Sequence, residues 1–409
     1  MEGAAGRTRV AIVGAGPAGL VLAALLDRAG VDAVVLEARS RAHVESRVRA
    51  GVLEPATVDV LASLGADDRL RREALVRDGF ELRLDGRRHA VPVRELTGRS
   101  MTVYGQQEVV KDLVALRLAR GAPLLFDAPV VGVEDLPGAP VVTYRRDGRL
   151  RTLRCEVVVA CDGSHGVGRT APPPGALTVH ERREPWAWLG ILAAVAPSSD
   201  VVVYATSPEG FALHSMRSPS LTRLYVQVPA AAALADWPDT RVWDALHRRL
   251  ATDDGSALAE GPVLERAVAP VRSVVVEPMR HGNLVLAGDA AHIVPPTGAK
   301  GLNLAVRDVV VLAGALEAAL LHGDPTALDA YSATCLRHVW WAQRFATWMT
   351  RLLHVPEEEE PYDAALRRAE QQRLVASRAA LQALAEDHAG TTPLAGGVAA
   401  PPPVRSVAP

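Results

Sequence analysis

A group of polar side chains lies on a set of short β-like segments in the middle of the chain. Ser215, Arg217 and Arg223 have the spacing of one strand and its hairpin partner, and Tyr204 and Tyr225 lie on the same set of segments. Hydroxyl and guanidinium groups on one sheet face can bind a small carboxylate, which leaves Tyr204 for a second polar end of the ligand. An ordinary half-polar sheet explains the same pattern, so the spacing alone leaves both interpretations open.

The segments that must position these residues alternate apolar and polar side chains, as strands with one buried face do. They cover residues 189–195, 201–204, 211–216 and 223–228. This pattern predicts an antiparallel sheet that is inserted into an α/β scaffold.

The N-terminal segment predicts a dinucleotide-binding turn. An apolar strand leads into a GxGxxG motif, whose residues include Gly14, Gly16, Ala18 and Gly19. The first glycine permits the tight turn, the second lets a pyrophosphate approach the backbone, and the third lets the helix pack on the strand. Glu37 ends the next strand, where its carboxylate can accept from an adenosine ribose. Because a carboxylate repels a 2′-phosphate, this site suits FAD or NAD and not NADP.

Two later strands also end in an acidic residue. Asp162 follows a buried strand that begins near Cys155, and Asp289 follows the apolar run 284–287. Each acid marks a place where the chain can turn against a dinucleotide at the carboxyl edge of a sheet. A purely structural turn is the alternative explanation for Asp162.

A proline-rich turn, residues 295–298, comes after Asp289, and apolar positions then recur at helical spacing from Leu302 to Leu321. Gly323 is the predicted stop of that helix. The free N–H groups of its first turn, at Leu302 and Asn303, can stabilise negative charge on a ligand.

Arg47 and Arg49 stand one residue apart beside the dinucleotide turn, where they can reach phosphate oxygens or a second cofactor. A solvated basic turn is the alternative. Gln106 closes a further strand and can offer its amide to the edge of a ring.

The composition excludes several classes of function. The 409 residues carry a formal net charge of −2, which provides no basic surface for nucleic acid. The sequence has no apolar run of about 18 residues, and its first residues lack the apolar segment of a signal peptide. Three cysteines are too few for a disulfide framework and are not spaced as metal ligands, so we expect a cytoplasmic protein without a metal.

The order of the segments predicts the domain organisation. We expect a Rossmann-like α/β domain that binds FAD or NAD at 1–178, an antiparallel-sheet substrate domain at 179–270, and a helical region that also contacts the dinucleotide at 271–394. The tail, 395–409, is rich in glycine, proline and alanine and is expected to be disordered. Trp340, Trp341 and Trp348 on one predicted helix suggest helix packing or a homodimer contact.

The GxGxxG segment with Glu37, Asp162-Gly163 and Gly288-Asp289, in that order, resembles the single-component FAD-dependent aromatic hydroxylases. The sequence is most similar to the branch of that family that acts on 4-hydroxybenzoate. The matching segments are residues 47–54, 103–106, 188–190, 225–229, 272–279 and 286–305. The resemblance extends over roughly residues 8–390 and is most specific at 295–300.

The resemblance implies roles for individual residues. FAD would be held by Gly14, Gly16, Ala18, Gly19, Glu37, Arg47, Val48, Arg49, Ala50, Gly51, Val52, Gln106, Asp162, Asp289, Leu302 and Asn303. NADPH or NADH, as co-substrate, would be received by His165, Arg169 and Arg272. The aromatic carboxylate would be bound by Ser215, Met216, Arg217 and Tyr225, and its 4-hydroxyl by Tyr204 and the Pro296 carbonyl. Arg223 would steady the flavin as it moves.

The implied reaction hydroxylates 4-hydroxybenzoate at C3, with NAD(P)H and O2, through a flavin C4a-hydroperoxide. The same chemistry on 3,4-dihydroxybenzoate, which gives gallate, or on an amino-hydroxybenzoate is the alternative. A flavin-fold protein that binds ligand without redox chemistry is the alternative of a different class. The residues after Glu37 leave NADH and NADPH both open.

The chain departs from the family at the predicted proton path. The family passes the phenol proton from a tyrosine to a second tyrosine and then to a histidine, whereas this chain has Tyr204, His388 and Arg77 at those positions. An imidazole with a pKa of about 6.5 can accept a proton at neutral pH. We therefore predict that His388 accepts from Tyr204, that Arg77 adds positive charge, and that the step titrates between roughly pH 5.5 and 7. A water-filled path, with His388 only capping the last helix, is the alternative.

Overall fold

A computed structural model describes residues 6–47 and 51–392 of the chain. The strands in these ranges are short in the N-terminal part and long in the middle of the chain. They are β1 (Gly6–Arg7), β2 (Val10–Val13), β3 (Ala33–Leu36), β4 (Val52–Leu53), β5 (Leu75–Arg77), β6 (Phe80–Leu84), β7 (Arg87–Val91), β8 (Met101–Val103), β9 (Leu124–Leu125), β10 (Val130–Glu134), β11 (Val141–Arg146), β12 (Arg149–Arg154), β13 (Val157–Ala160), β14 (Thr178–Ala193), β15 (Val202–Ser207), β16 (Gly210–Ser218), β17 (Leu221–Pro229), β18 (Val263–Glu277), β19 (Arg280–His281), β20 (Leu284–Leu286) and β21 (His292–Ile293).

The helices of the same ranges concentrate at the two ends of the chain. They are α1 (Pro17–Ala29), α2 (Arg41–Ser46), α3 (Pro55–Leu64), α4 (Asp68–Glu73), α5 (Val93–Thr97), α6 (Gln106–Ala119), α7 (Asp239–Leu250), α8 (Gly301–His322), α9 (Thr326–Asp329), α10 (Tyr331–Leu353), α11 (Pro361–Ala376) and α12 (Arg378–Ala389). Within the described part of the chain, no helix is both long and apolar enough to cross a bilayer.

The first large sheet has six strands in the order β19-β20-β13-β2-β3-β9, and its central strands run parallel. Strands β2 and β13 are buried along their whole length, which explains their near-continuous runs of valine and alanine. Parallel strands end at one edge, so the turns after β2, β3, β13 and β20 come together there. The sequence predicts this α/β domain correctly.

Local signals set the ends of the helices that flank this sheet. Helix α1 has a proline in its first turn, and Gly30 closes it with a φ of 75°. Helix α8 ends at Gly323, whose φ is 70°, as the sequence predicts. Both helices pack on the sheet and on each other.

The second large sheet has eight strands in the order β21-β18-β14-β17-β16-β15-β6-β7. The four predicted strands of the antiparallel sheet are all present within it, as parts of β14 to β17. The sheet is larger than the sequence predicts, because it takes two strands from residues 80–91 and extends through β18 to residue 277. Segment 179–270 therefore does not form the sheet alone, and the division into domains stays a prediction.

Each face of the eight-stranded sheet is covered by a separate hydrophobic core. Helix α7 covers one face through Trp243 and Leu246. The opposite face, which we call the site face, carries Tyr204 and packs against the last part of α10 and against α12. The predicted polar ligand site therefore lies between a sheet and helices that come from the far end of the chain.

Candidate active site

In the GxGxxG turn, Gly14 and Gly19 lie against backbone atoms, whereas Gly16 faces open space. A Cβ atom on Gly14 would lie 2.4 Å from the Cys161 carbonyl oxygen, and one on Gly19 would lie 2.0 Å from the Gly14 carbonyl oxygen. At Gly16 no atom lies within 4 Å of the same position. This opening lies at the N-terminus of α1, whose free N–H groups favour a phosphate. Ala18 is buried just behind it, inside α1.

Glu37 lies beside this turn, as the sequence predicts. Its two carboxylate oxygens accept hydrogen bonds from the backbone N–H groups of Ala15, at 2.7 Å, and Arg39, at 2.8 Å. These bonds fix the carboxylate at the end of β3, next to the dinucleotide turn. A carboxylate oxygen can accept more than one bond, so the group remains able to meet a ribose hydroxyl.

Asp162 follows β13 at the same edge of the sheet. Its Oδ2 accepts from the Gly168 N–H at 2.9 Å, whereas its Oδ1 is buried and has no partner among the described residues. Burial raises the pKa of this carboxyl group above its ordinary value, and its backbone hydrogen bonds oppose the shift. An orphaned acceptor beside the GxGxxG turn fits a ligand that bears a hydroxyl group.

The Gly288-Asp289 turn after β20 is held by two buried residues that the sequence analysis did not single out. Asp308, on α8, accepts from the Gly288 N–H at 3.0 Å and pairs with the imidazole Nε2 of His292 at 2.5 Å. Both side chains are about 2% exposed. Gly288 has a φ of 60°, which favours glycine, and Asp289 is left exposed at the sheet edge.

The N-terminus of α8 is built around Asn303 and Lys300. The Asn303 Oδ1 accepts from the Glu54 N–H at 2.8 Å, and its amide donates to the Val52 carbonyl at 2.9 Å. Lys300 pairs with Glu54 at 2.5 Å and donates to the His388 carbonyl at 2.9 Å. No side chain caps the helix, so the first N–H groups, at Gly301 and Leu302, stay available to a ligand.

The remaining cofactor residues lie around the same edge, with one gap. Gly51 is buried, and a Cβ there would lie 2.0 Å from the Tyr104 carbonyl oxygen, so only glycine fits. Gln106 begins α6. Arg47 ends α2 and is exposed. The predicted contacts of Val48, Arg49 and Ala50 lie outside the described residues.

Two of the three residues predicted to receive the nicotinamide lie close together. Arg169 donates to the carbonyl oxygens of Ala290, at 2.6 Å, and Asp289, at 2.5 Å. Its pKa is lowered, first by burial and then by the neighbouring charge of Arg272. His165 is exposed on the turn just before Arg169, with its Nδ1 2.9 Å from the Ser164 hydroxyl.

On the site face of the second sheet, the predicted substrate residues form one row. The strand register aligns Tyr204 with Leu213, Leu213 with Tyr225, and Tyr225 with Gly190. Two strand spacings separate the Tyr204 and Tyr225 backbones, which is roughly 10 Å. A Cβ on Gly190 would lie 2.7 Å from the Tyr225 ring, so this glycine makes room for the phenol.

A cluster of donors stands at one end of the row. Ser215 pairs directly with Arg223 in the register, and Arg217 donates to the Ser215 hydroxyl at 3.4 Å. The Arg217 Nε is buried without a partner among the described residues, and burial lowers the pKa of the guanidinium. Arg223 donates to the Tyr225 hydroxyl at 3.3 Å and to Glu265 at 3.1 Å. A half-buried guanidinium with one N–H left without a partner favours an anionic ligand.

At the other end of the row, Tyr204 meets His388. The phenol oxygen lies 3.4 Å from the His388 Nε2, and the imidazole stacks on Phe80 with ring centroids 4.4 Å apart. Burial lowers the pKa of His388 to about 3, and the charge of Lys300 adds to the shift. The sequence predicts a positive charge from Arg77 here, and the structure gives that of the Lys300 ammonium. Burial raises the pKa of the Tyr204 phenol.

The two remaining predicted substrate residues are Met216 and Pro296. Met216 is 1% exposed and is buried in the same core as Tyr204. Pro296 is exposed in the turn before α8, and its carbonyl oxygen already accepts from the Ala299 N–H at 3.0 Å. A carbonyl oxygen has a second lone pair, so it can still meet a ligand hydroxyl.

The described residues fit FAD. The opening at Gly16, the fixed carboxylate of Glu37 and the orphaned Oδ1 of Asp162 suit the pyrophosphate and hydroxyls of an extended dinucleotide. The uncapped N-terminus of α8 suits the electron-rich edge of a reduced ring.

Comparison with known proteins identifies the family. Residues 7–346 match the family model described as an FAD binding domain. The chain is 43% identical to the p-hydroxybenzoate hydroxylase of Acinetobacter baylyi over 94% of this chain and 95% of that one. It is 28% identical to a 3-amino-4-hydroxybenzoate 2-monooxygenase of Streptomyces platensis, over 86% of this chain and 90% of the relative.

A solved structure has the same fold at lower identity. The p-nitrophenol 4-monooxygenase of Pseudomonas putida superposes with a TM-score of 0.80 at 22% identity, over 93% of this chain and 98% of that one. With the family match over most of its length and the strong similarity to one member, the chain belongs to the FAD-dependent aromatic monooxygenases.

Proposed function

We propose that the enzyme hydroxylates 4-hydroxybenzoate at C3 to give 3,4-dihydroxybenzoate, with NAD(P)H and O2 as co-substrates. The row across the site face carries this proposal. It has carboxylate donors around Tyr225 at one end and the Tyr204–His388 pair at the other. A ring with a carboxylate and a hydroxyl in para positions matches two polar ends on an otherwise apolar surface. The 43% identity to a p-hydroxybenzoate hydroxylase supports the same substrate.

The carboxylate end recognises charge. Arg217 and Ser215 donate to the carboxylate oxygens, and the Tyr225 hydroxyl adds a third donor. The half-buried Arg217 guanidinium has an Nε–H without a partner among the described residues, so it gains a charge-assisted hydrogen bond from an anion. An aromatic ligand without a negative charge therefore binds with lower affinity, so the carboxylate both selects the ligand and fixes its orientation.

The remaining walls keep the reacting ring dry. Phe80 and Leu213 are buried on the site face, and Leu213 lies between Tyr204 and Tyr225 in the strand register, so the surface between the two polar ends is apolar. Bound FAD supplies the oxygen-transfer chemistry, with electrons from NAD(P)H. The chain's own part is to orient the ring, exclude water and remove the proton of the phenol.

His388 serves as a relay in this proposal. The sequence predicts an imidazole that accepts the proton from Tyr204, but a pKa of about 3 makes a lasting imidazolium unfavourable beside Lys300. Transfer into Nε2 and out of Nδ1 avoids that charge. The buried Nδ1 has no partner among the described residues, so the proton that leaves it must pass to a water molecule. The imidazole of His388 therefore does not titrate between pH 5.5 and 7.

Exposed apolar residues on α10 and α11 support a homodimer. Trp340 is 44% exposed, Trp341 36% and Leu366 53%. Trp340 and Leu366 border a groove of about 730 Å³ that Trp348 and Arg351 also line. An exposed apolar area of this kind is typical of a surface that binds a second protein, and we assign it to a second copy of the chain.

The dimer is tested by charge insertion. Leu366→Glu places a carboxylate in the apolar groove, so we expect it to convert dimers to monomers in sedimentation velocity. Leu150→Glu is the matched control, because Leu150 is 64% exposed and lies on β12, outside the groove. This variant should leave the dimer intact. A wild-type protein that sediments as a monomer at micromolar concentration contradicts the proposal.

The carboxylate site is tested by Arg217→Ala. Removing a buried charge-assisted donor should weaken 4-hydroxybenzoate binding by about 2–4 kcal/mol, as measured by titration of the flavin absorbance. The variant should bind 4-hydroxybenzamide, which lacks the charge, about as well as wild type does. Arg217→Lys keeps the charge and should lie between the two. Equal affinity of wild type and Arg217→Ala for 4-hydroxybenzoate would refute the site.

The relay is tested by His388→Phe, which keeps the stack on Phe80 but removes both ring nitrogens. NAD(P)H consumption should continue, while hydroxylated product per NAD(P)H falls, because the phenol proton has no exit. Tyr204→Phe should give the same loss, and His388→Tyr should restore coupling because a hydroxyl can also relay. The wild-type coupling should show no imidazole titration between pH 5.5 and 7. If His388→Phe remains fully coupled, the relay does not run through this ring.

A further inference from the structure

The C-terminal end of α10 touches both sides of the substrate site. Thr350, which is 0% exposed, donates its hydroxyl hydrogen to the Ala346 carbonyl at 2.7 Å. Its oxygen therefore accepts from the Thr297 hydroxyl at 2.8 Å. Thr297 belongs to the turn that carries Pro296, so this bond ties the hydroxyl end of the substrate site to α10.

One turn later, His354 binds the sheet. Its Nδ1 lies 2.9 Å from the Thr350 carbonyl oxygen, and its Nε2 lies 2.7 Å from the indole Nε1 of Trp188. A carbonyl only accepts and an indole N–H only donates, so the imidazole must be neutral with its hydrogen on Nδ1. Burial lowers the pKa of His354 to about 3, in agreement with this assignment.

Trp188 carries the contact on to the carboxylate end. Its ring packs against the Tyr225 ring, with centroids 5.0 Å apart and planes tilted by 51°. Trp188 also stacks on Phe211 at 5.1 Å, and His354 stacks on the same phenylalanine at 4.4 Å. The hydrogen bond from the indole to His354 therefore determines where the ring can lie against Tyr225.

A second bond links the same end of the helix to the sheet. The Gln227 side chain, two residues after Tyr225, accepts from the Val355 N–H at 3.1 Å and donates to the Val355 carbonyl at 2.5 Å. Its Oε1 also accepts from the Phe211 N–H at 3.0 Å. The backbone just after α10 is thus fixed to the two central strands of the site face.

We propose that His354 is a positioning residue for the substrate carboxylate. It holds Trp188 in the orientation that keeps the Tyr225 phenol beside Arg217 and Ser215. Through Thr350 and Thr297 it also links this end of the site to the turn at the hydroxyl end. The inference rests on the proposed carboxylate site and adds a residue that touches neither substrate nor cofactor.

The test removes the hydrogen bond from either side. His354→Phe keeps an aromatic ring in the stack but leaves the indole N–H without an acceptor, and Trp188→Phe removes the donor. Each should raise the Kd for 4-hydroxybenzoate about fivefold to tenfold. The Kd for 4-hydroxybenzamide should change by less than twofold, because the site loses the carboxylate geometry and not the ring pocket. His354→Gln, which can still accept from the indole, should recover most of the affinity.

The double variant separates positioning from general destabilisation. When the indole N–H is already gone, His354→Phe should add less than a twofold effect on the 4-hydroxybenzoate Kd, even if the Tm falls further. A lower Tm with unchanged affinity in His354→Phe and Trp188→Phe would overturn the inference. So would an equal loss for both ligands.

Arg217→Ala, measured beside these variants, distinguishes the two proposals. If it loses affinity for the carboxylate while His354→Phe and Trp188→Phe do not, only the positioning role fails. If Arg217→Ala raises the Kd for 4-hydroxybenzoate no more than the Kd for 4-hydroxybenzamide, the carboxylate site is wrong, and the positioning role is wrong with it.

Discussion

The buried ion pair between Lys300 and Glu54 joins the cofactor edge to the substrate site. Its side chains are 7% and 12% exposed, and the same ammonium also donates to the His388 carbonyl. Three distant segments of the chain therefore meet at one charge. Removing either partner would leave the other buried and unpaired, which is strongly unfavourable. The pair thus fixes the start of α8, the loop after β4 and the end of α12 relative to one another.

That arrangement explains how one charge serves two tasks. Beside the N-terminus of α8, a positive charge favours electron density on the bound ring system. On the other side, the same charge lowers the pKa of His388, so the imidazole stays neutral and can pass a proton without keeping it. The substrate row on the site face lies between these effects, with its carboxylate end far from Lys300 and its phenol end close to it.

The sequence predicts the cofactor edge better than the substrate site. The turns at Gly14, Glu37 and Asp289 follow from local motifs, and parallel strands bring them together without further information. The row from Tyr204 to Tyr225 depends on the register of three strands, whereas the spacing alone is explained as well or better by an ordinary half-polar sheet. The environment of His388 depends on Lys300, 88 residues away, and on full burial, so neither its low pKa nor the source of the charge is visible in the sequence. Asp308 and His292, which hold Gly288, carry no motif that marks them.

The central claim is that two polar ends on the site face select a para-hydroxylated benzoate for coupled hydroxylation. The most direct measurement is the ratio of hydroxylated product to NAD(P)H consumed for a panel of ligands with purified, FAD-loaded enzyme. The panel should include 4-hydroxybenzoate, 3,4-dihydroxybenzoate, an amino-hydroxybenzoate and 4-hydroxybenzamide. The account predicts nearly one 3,4-dihydroxybenzoate per NAD(P)H with 4-hydroxybenzoate, and little coupled product from the amide. Coupled hydroxylation of the amide, or NAD(P)H consumption without product from 4-hydroxybenzoate, would contradict it.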